Sequence, residues 1–125
     1  MYVMRELIEK ISKCKDDVVF VGSLVGNTED PSDIDIVITS TDGLETIGEC
    51  KCHESKSVFA KGAKRCKIVG NDLIDIWLKD ELPEYEIIDG IKYQTIEDQK
   101  KYYQDVLDST DDNYIIEYIQ QWQRK

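Results

Sequence analysis

The stretch over residues 18–40, VVFVGSLVGNTEDPSDIDIVITS, constrains this chain more than any other. Its short apolar runs are rich in β-branched residues, which predicts one strand over 18–21 and a second that carries Asp33, Ile34 and Asp35. Gly22 and Ser23 supply a tight turn after the first strand, and a small polar connection leads into the second. Side chains alternate along a strand, so Asp33 and Asp35 project from the same face of the sheet. Two carboxylates held that close repel each other unless a cation lies between them.

The flanking segments read as elements that pack on such a sheet. Over residues 2–14, Val3, Leu7, Ile8, Ile11 and Cys14 recur at helical spacing opposite Arg5, Glu6, Glu9, Lys10 and Lys13, which predicts an amphipathic helix. Residues 48–54 alternate like an edge strand, with Cys50 and Cys52 on one face. Residues 64–69 and 72–78 flank Gly70-Asn71 and predict a β-hairpin. In its second arm Leu73, Asp75 and Trp77 alternate with Asp72, Ile74, Ile76 and Leu78, so Asp75 is a lone acid inside an apolar strand and needs a reason. A short extended excursion follows, turning at Asp89-Gly90. Thr95 to Asp98 has the form of a capping box opening a helix through about Leu107. Ser109, Thr110, Asp111 and Asp112 cap a last helix with Ile115, Tyr118, Ile119 and Trp122 on one face.

At 125 residues the chain is expected to form one domain, with a core over 1–80 and a helical tail over 95–123. The fold class expected is α/β (α+β), a small mixed sheet with helices packed mainly on one side. A formal net charge of −10 disfavours polymeric nucleic acid as a partner. No apolar run approaches the ~20 residues of a membrane span. Four cysteines (Cys14, Cys50, Cys52 and Cys66) fall short of a disulfide scaffold, so a reducing, cytoplasmic setting is expected.

Written as a pattern, the chain carries an apolar strand, Gly22-Ser23, nine residues, Asp33-Ile34-Asp35-Ile36, and later Ile74-Asp75-Ile76. This resembles the polymerase-beta-like nucleotidyltransferase superfamily, whose signature is a Gly-Gly or Gly-Ser turn, a spacer, an acid–apolar–acid strand and a third strand-borne acid. The likeness covers roughly residues 1–80. Residues 90–98, GIKYQTIED, look like the segment that precedes the tail helix in many minimal (MNT-type) members.

The resemblance implies a nucleotidyltransferase fold and the transfer of a nucleoside monophosphate from an NTP to a hydroxyl, with release of pyrophosphate. Asp33, Asp35 and Asp75 would be both catalytic residues and metal ligands, holding two Mg²⁺ or Mn²⁺ ions ~3.5–4 Å apart. Asp75, its pKa raised by an apolar strand, would take the hydroxyl proton. Gly22 and Ser23 would hold phosphate oxygens. A small molecule or a protein side chain suits this acidic, single-domain chain as acceptor, and a partner protein or a second copy is expected to complete the acceptor site. Minimal members include the antitoxin halves of toxin–antitoxin pairs. The loop here, Gly22 to Asn27, departs from their pattern in lacking an arginine.

Blander readings stand beside these. Asp33, Asp35 and Asp75 would also suit outward positions on exposed strands. The basic cluster Lys61, Lys64, Arg65 and Lys67 is either a solvated hairpin face or, for Lys64 and Lys67 above all, a source of cations for a triphosphate. Cys50, Cys52, His53 and Cys66 are candidate zinc ligands, but C-x-C-H departs from the C-x₂₋₄-C spacing of structural zinc sites, so half-buried strand cysteines are expected instead. Tyr102, Tyr103, Tyr118 and Trp122 read as core residues ahead of a base-stacking platform. A module that binds a nucleotide or a partner protein without catalysis is the alternative function.

Overall fold

Strand β1 (Val18–Val21) pairs antiparallel with β2 (Ile34–Ile38), Phe20 lying opposite Ile36. The computed structural model describes residues 2–14, 17–22, 25, 34–55 and 63–123. Around the β1–β2 pair a mixed seven-stranded sheet assembles in the order β3-β4-β5-β2-β1-β7-β6. Its other strands are β3 (Cys50–Glu54), β4 (Lys64–Ile68), β5 (Asn71–Leu78), β6 (Tyr85–Ile88) and β7 (Ile91–Gln94). The sheet therefore runs on past residue 80, because β7 lies parallel to β1 through Phe20 and Tyr93. Their rings stand 5.8 Å apart in a tilted pair, which joins the last hairpin to the core.

Both hairpins follow from local chemistry. At the β6–β7 turn Asp89 and Gly90 both adopt positive φ (53° and 80°), the conformation a two-residue type I′ turn demands and an Asp-Gly pair tolerates best. Between β4 and β5, Gly70 at φ +84° makes the reversal.

Alternation divides the sheet into two unlike faces. Val18, Phe20, Ile34, Ile36, Ile38, Cys66, Ile68, Ile74 and Ile76 form one continuous buried cluster. Helix α1 (Tyr2–Ser12) covers it with Ile11, helped by Leu7 and Ile8, and a 3₁₀ turn at Leu44–Thr46 closes it with Leu44. This is the amphipathic stripe expected of the first helix. Asp35, Val37, Asp75 and Trp77 point to the other face.

The C-terminal helices α2 (Ile96–Ser109) and α3 (Asn113–Gln123) border that second face and pack on each other through Tyr103, Val106 and Ile119. Helices thus lie on both sides of the sheet, where one-sided packing was expected. The reason is that β2 is buried on both faces, Val37 being as enclosed as its core-facing neighbours. Thr95 caps α2 by accepting from the Asp98 amide (3.1 Å), and Asp112 caps α3 by accepting from the Tyr114 amide (2.9 Å). Among the described residues no helix is long and apolar enough to cross a membrane.

The cysteines depart from expectation. Cys52 and Cys66 face each other across β3 and β4 and are joined by a disulfide, while Cys14 and Cys50 take no part in one. Cysteine usage therefore no longer argues for a reducing compartment. Burial, with the nearby Glu45 carboxylate, pushes the Cys50 thiol up, so it stays protonated at neutral pH.

Ile36 is fully buried at the centre of the sheet. Ile36→Ala is expected to lower stability by about 2–5 kcal/mol, read as a shift in urea midpoint with little change in slope.

Candidate functional site

The second face of the sheet carries two acids side by side. β2 and β5 run parallel, and their register places Asp35 directly beside Asp75. Neighbouring strands lie ~4.8 Å apart, so two carboxylates in this position face strong mutual repulsion unless cations intervene. Asp33 and Ser23, the other expected ligands, lie outside the described residues.

Cations intervene at Asp75. Arg65 and Lys67 project from β4 on the same face, and both donate to Asp75 Oδ1, at 2.8 Å and 2.5 Å. Arg65 also lies over the Trp77 ring, 5.4 Å from its centroid. Burial opposes the Asp75 charge, but the hydrogen bonds from Lys67 and Arg65 outweigh it and hold the carboxyl below its ordinary value of 3.8. The raised pKa expected of Asp75 is therefore not found, and a carboxylate held below its ordinary value is a weaker base. Lys64, three residues before Lys67, points to the opposite face, because odd spacing on a strand reverses direction. The two lysines therefore do not act together.

Gly22 closes against Asp35. It sits at φ +70°, and a Cβ there would overlap Asp35 Oδ2. The turn is held from above by Gln99 of α2, fully buried, whose Nε2 donates to the Gly22 carbonyl at 2.9 Å. Gln99 Oε1 is buried with no hydrogen-bond partner among the described residues. Sequence reading passed over Gln99, and nothing in its local pattern distinguishes it from any polar helix residue.

Between this acid-bearing face and helices α2 and α3 lies an open cleft of about 640 Å³. Asp35, Val37 and Trp77 belong to its sheet side, Tyr102, Tyr114 and Tyr118 to its helical side. Tyr103 is buried in the α2–α3 core as expected and Tyr102 packs against it, and both line the cleft together with Tyr118. The side chain of Trp122 lies outside the described residues. Burial, reinforced by the Asp35 charge, pushes the Tyr102 hydroxyl far above its usual range, so it acts as a neutral hydrogen-bonding group at any physiological pH. Four carboxylates (Asp35, Glu81, Asp98 and Asp105) line the cleft against two ammonium groups, Lys79 and Lys101. Lys79 lies 4.9 Å from the centre of the Tyr102 ring.

The carboxylates of Asp35 and Asp75 suit a hard cation such as Mg²⁺. Asp35 faces the cleft, whereas Asp75 already has its charge compensated by two fixed cations. As a metal ligand it would have to offer an oxygen other than the one those cations share.

No protein-family model, no curated protein and no solved structure matches this chain.

Two outcomes test this geometry. Gly22→Ala is expected to destabilise the fold by at least about 1 kcal/mol through its positive φ alone, with a further steric cost from Asp35. In a double-mutant cycle most of the steric part disappears when Asp35→Ala is present, since Oδ2 and Cγ are removed and only the Asp35 Cβ, 3.1 Å away, remains beside the backbone part. For Asp75, a folded-state pKa below the unfolded one means the stabilisation is present above pH ~4 and is lost as pH falls through the lower folded value. Urea unfolding at pH 7 should show Asp75→Asn less stable by about 1–2 kcal/mol, the low end because Arg65 and Lys67 are partly in water. The gap should narrow as pH falls through that lower folded value.

Proposed function

We propose that this chain is a metal-dependent nucleotidyltransferase that moves a nucleoside monophosphate from an NTP to a hydroxyl of a small molecule or protein. The observation that carries this reading is the register of β2 and β5, which sets Asp35 beside Asp75 next to the Gly22 turn. The fold proposed is the nucleotidyltransferase arrangement, of the minimal MNT type.

The cleft's composition supports the same reading. Its acid excess repels a bare triphosphate, so a nucleotide enters favourably only with cations to offset its charge. Asp35, with Asp33, would hold Mg²⁺, which when bound polarises the α-phosphate and lowers the pKa of the attacking hydroxyl. Lys79 and Lys101 would meet phosphate oxygens, the part expected of Lys64 and Lys67, and the tyrosines of the helical wall would take the base. The acceptor oxygen forms a bond to the α-phosphorus as the bond to the bridging oxygen breaks. Pyrophosphate leaves, and the hydroxyl proton passes to solvent, since Asp75 is held low by its two cations and Asp35 would be occupied by the metal. Gln99 would act as a positioning residue, fixing the Gly22 carbonyl and hence the turn beside Asp35.

One observation favours a second reading. The paired cations on Asp75 do at rest what a second metal ion would otherwise do, and a site so compensated suits a nucleotide- or partner-binding module.

Incubation with each labelled NTP and Mg²⁺, in the presence of cell extract, separates the two. The enzyme is expected to transfer label from the NTP to an acceptor, with a loss of at least about 10²-fold in Asp35→Asn. A binding module would raise its melting temperature with Mg²⁺ and NTP by mass action yet transfer no label. Neither transfer nor a thermal shift with any NTP would refute both readings.

A further inference from the structure

On the face of the sheet turned away from the cleft, β3 and β4 bring three sulfurs together. Cys52 stands opposite Cys66 in the antiparallel register, and Cys50 lies two residues before Cys52 on the same side of β3. All three sulfurs lie within 4.8 Å of one another. Cys66 forms a fully buried floor, Cys50 is half-buried, and Cys52 is exposed at the rim. An ion could therefore reach the cluster from solvent and be held against apolar packing.

We propose that, once its Cys52–Cys66 disulfide is reduced, this cluster is a soft-metal site in which Cys50, Cys52 and Cys66 bind one thiophilic divalent cation of the Zn²⁺ class. Zinc–thiolate bonds of ~2.3 Å place sulfurs ~3.8–4.0 Å apart, within the 4.8 Å that spans the three sulfurs here. The C-x₂₋₄-C rule does not apply, because it describes ligands offered by one local turn. Here the third ligand arrives from a neighbouring strand, Cys66 lying 14 residues after Cys52. His53 projects from the opposite face of β3 and takes no part. The exposed rim leaves the fourth tetrahedral position to water or an external ligand.

Disulfide and metal use the same sulfurs and exclude each other. Opening the site takes a dithiol reductant, which gives two electrons and two protons to the Cys52–Cys66 bond and becomes a disulfide itself. Each of the three thiols then releases its proton to solvent as it binds the ion. Oxidation of Cys52 and Cys66 expels the metal.

Anaerobic titration of the full chain with Cd²⁺, followed by thiolate-to-metal charge-transfer absorption, tests this. Reduced protein is expected to bind one equivalent, and oxidised protein none. Cys50→Ser and Cys52→Ser, both outside the buried floor, should each weaken binding by at least about 100-fold, since even an outer partner of a metal site is worth 10–100-fold. Cys14→Ser should leave it unchanged. Zn²⁺ should raise the melting temperature of reduced wild type and not that of reduced Cys50→Ser. Absence of binding by the reduced protein overturns the proposal, as does equal binding by Cys50→Ser or binding that survives oxidation.

Discussion

Two carboxylates on neighbouring strands of a sheet repel each other unless positive charge lies beside them, and one such pair stands on the second face of this sheet. The parallel register of β2 and β5 creates the pair. Strand β4 then supplies Arg65 and Lys67 to one member, on adjacent strands and the same face. Asp35, the other member, is enclosed differently, with the Gly22 backbone packed on its carboxylate and the cleft open beside it. The two acids, equivalent in register, therefore differ in chemistry. Asp75 is held by two cations of β4, and Asp35 faces the cleft.

Gln99 connects this arrangement to the rest of the chain. Its hydrogen bond to Gly22 spans most of the sequence and ties helix α2 to the turn after β1. Because α2 and α3 share a small core of Tyr103, Val106 and Ile119, the helical wall of the cleft is held in place as a unit. Strand β4 is shared between the two faces in a similar way. Arg65 and Lys67 reach Asp75, while Cys66 between them reaches the sulfur cluster. One strand thus serves an electrostatic site and a thiol site on opposite sides, a direct result of the two-residue period of β-structure.

Local patterns carried the elements well. Alternation of apolar and polar residues identified β2 and β5 and put Asp33 with Asp35 on one face of the first and Asp75 with Trp77 on one face of the second. The Asp89-Gly90 turn and the Thr95 cap followed from single-residue chemistry, and the spacing of Leu7, Ile8 and Ile11 identified the face of α1 that packs. What was read less well involves partners distant in sequence. The pKa of Asp75 was expected to rise because an apolar strand desolvates it. The two cations that reverse the shift lie on the other arm of the hairpin, and only pairing shows that they reach the same oxygen. The placement of Lys64 was within reach, since three residues along a strand separates it from Lys67 by a change of face.

The sequence by itself determined the strands, the turns, the capped helices and the alternation that sends acids one way and isoleucines the other, because these depend on backbone preferences and periodicity within a few residues. Only the tertiary structure decided which strands became neighbours. That choice put Asp35 beside Asp75, brought Gln99 to Gly22, stood helices on both faces and joined Cys52 to Cys66. Such contacts arise from burying a shared core, and the balance of burial over the whole chain is not written in any one segment of it.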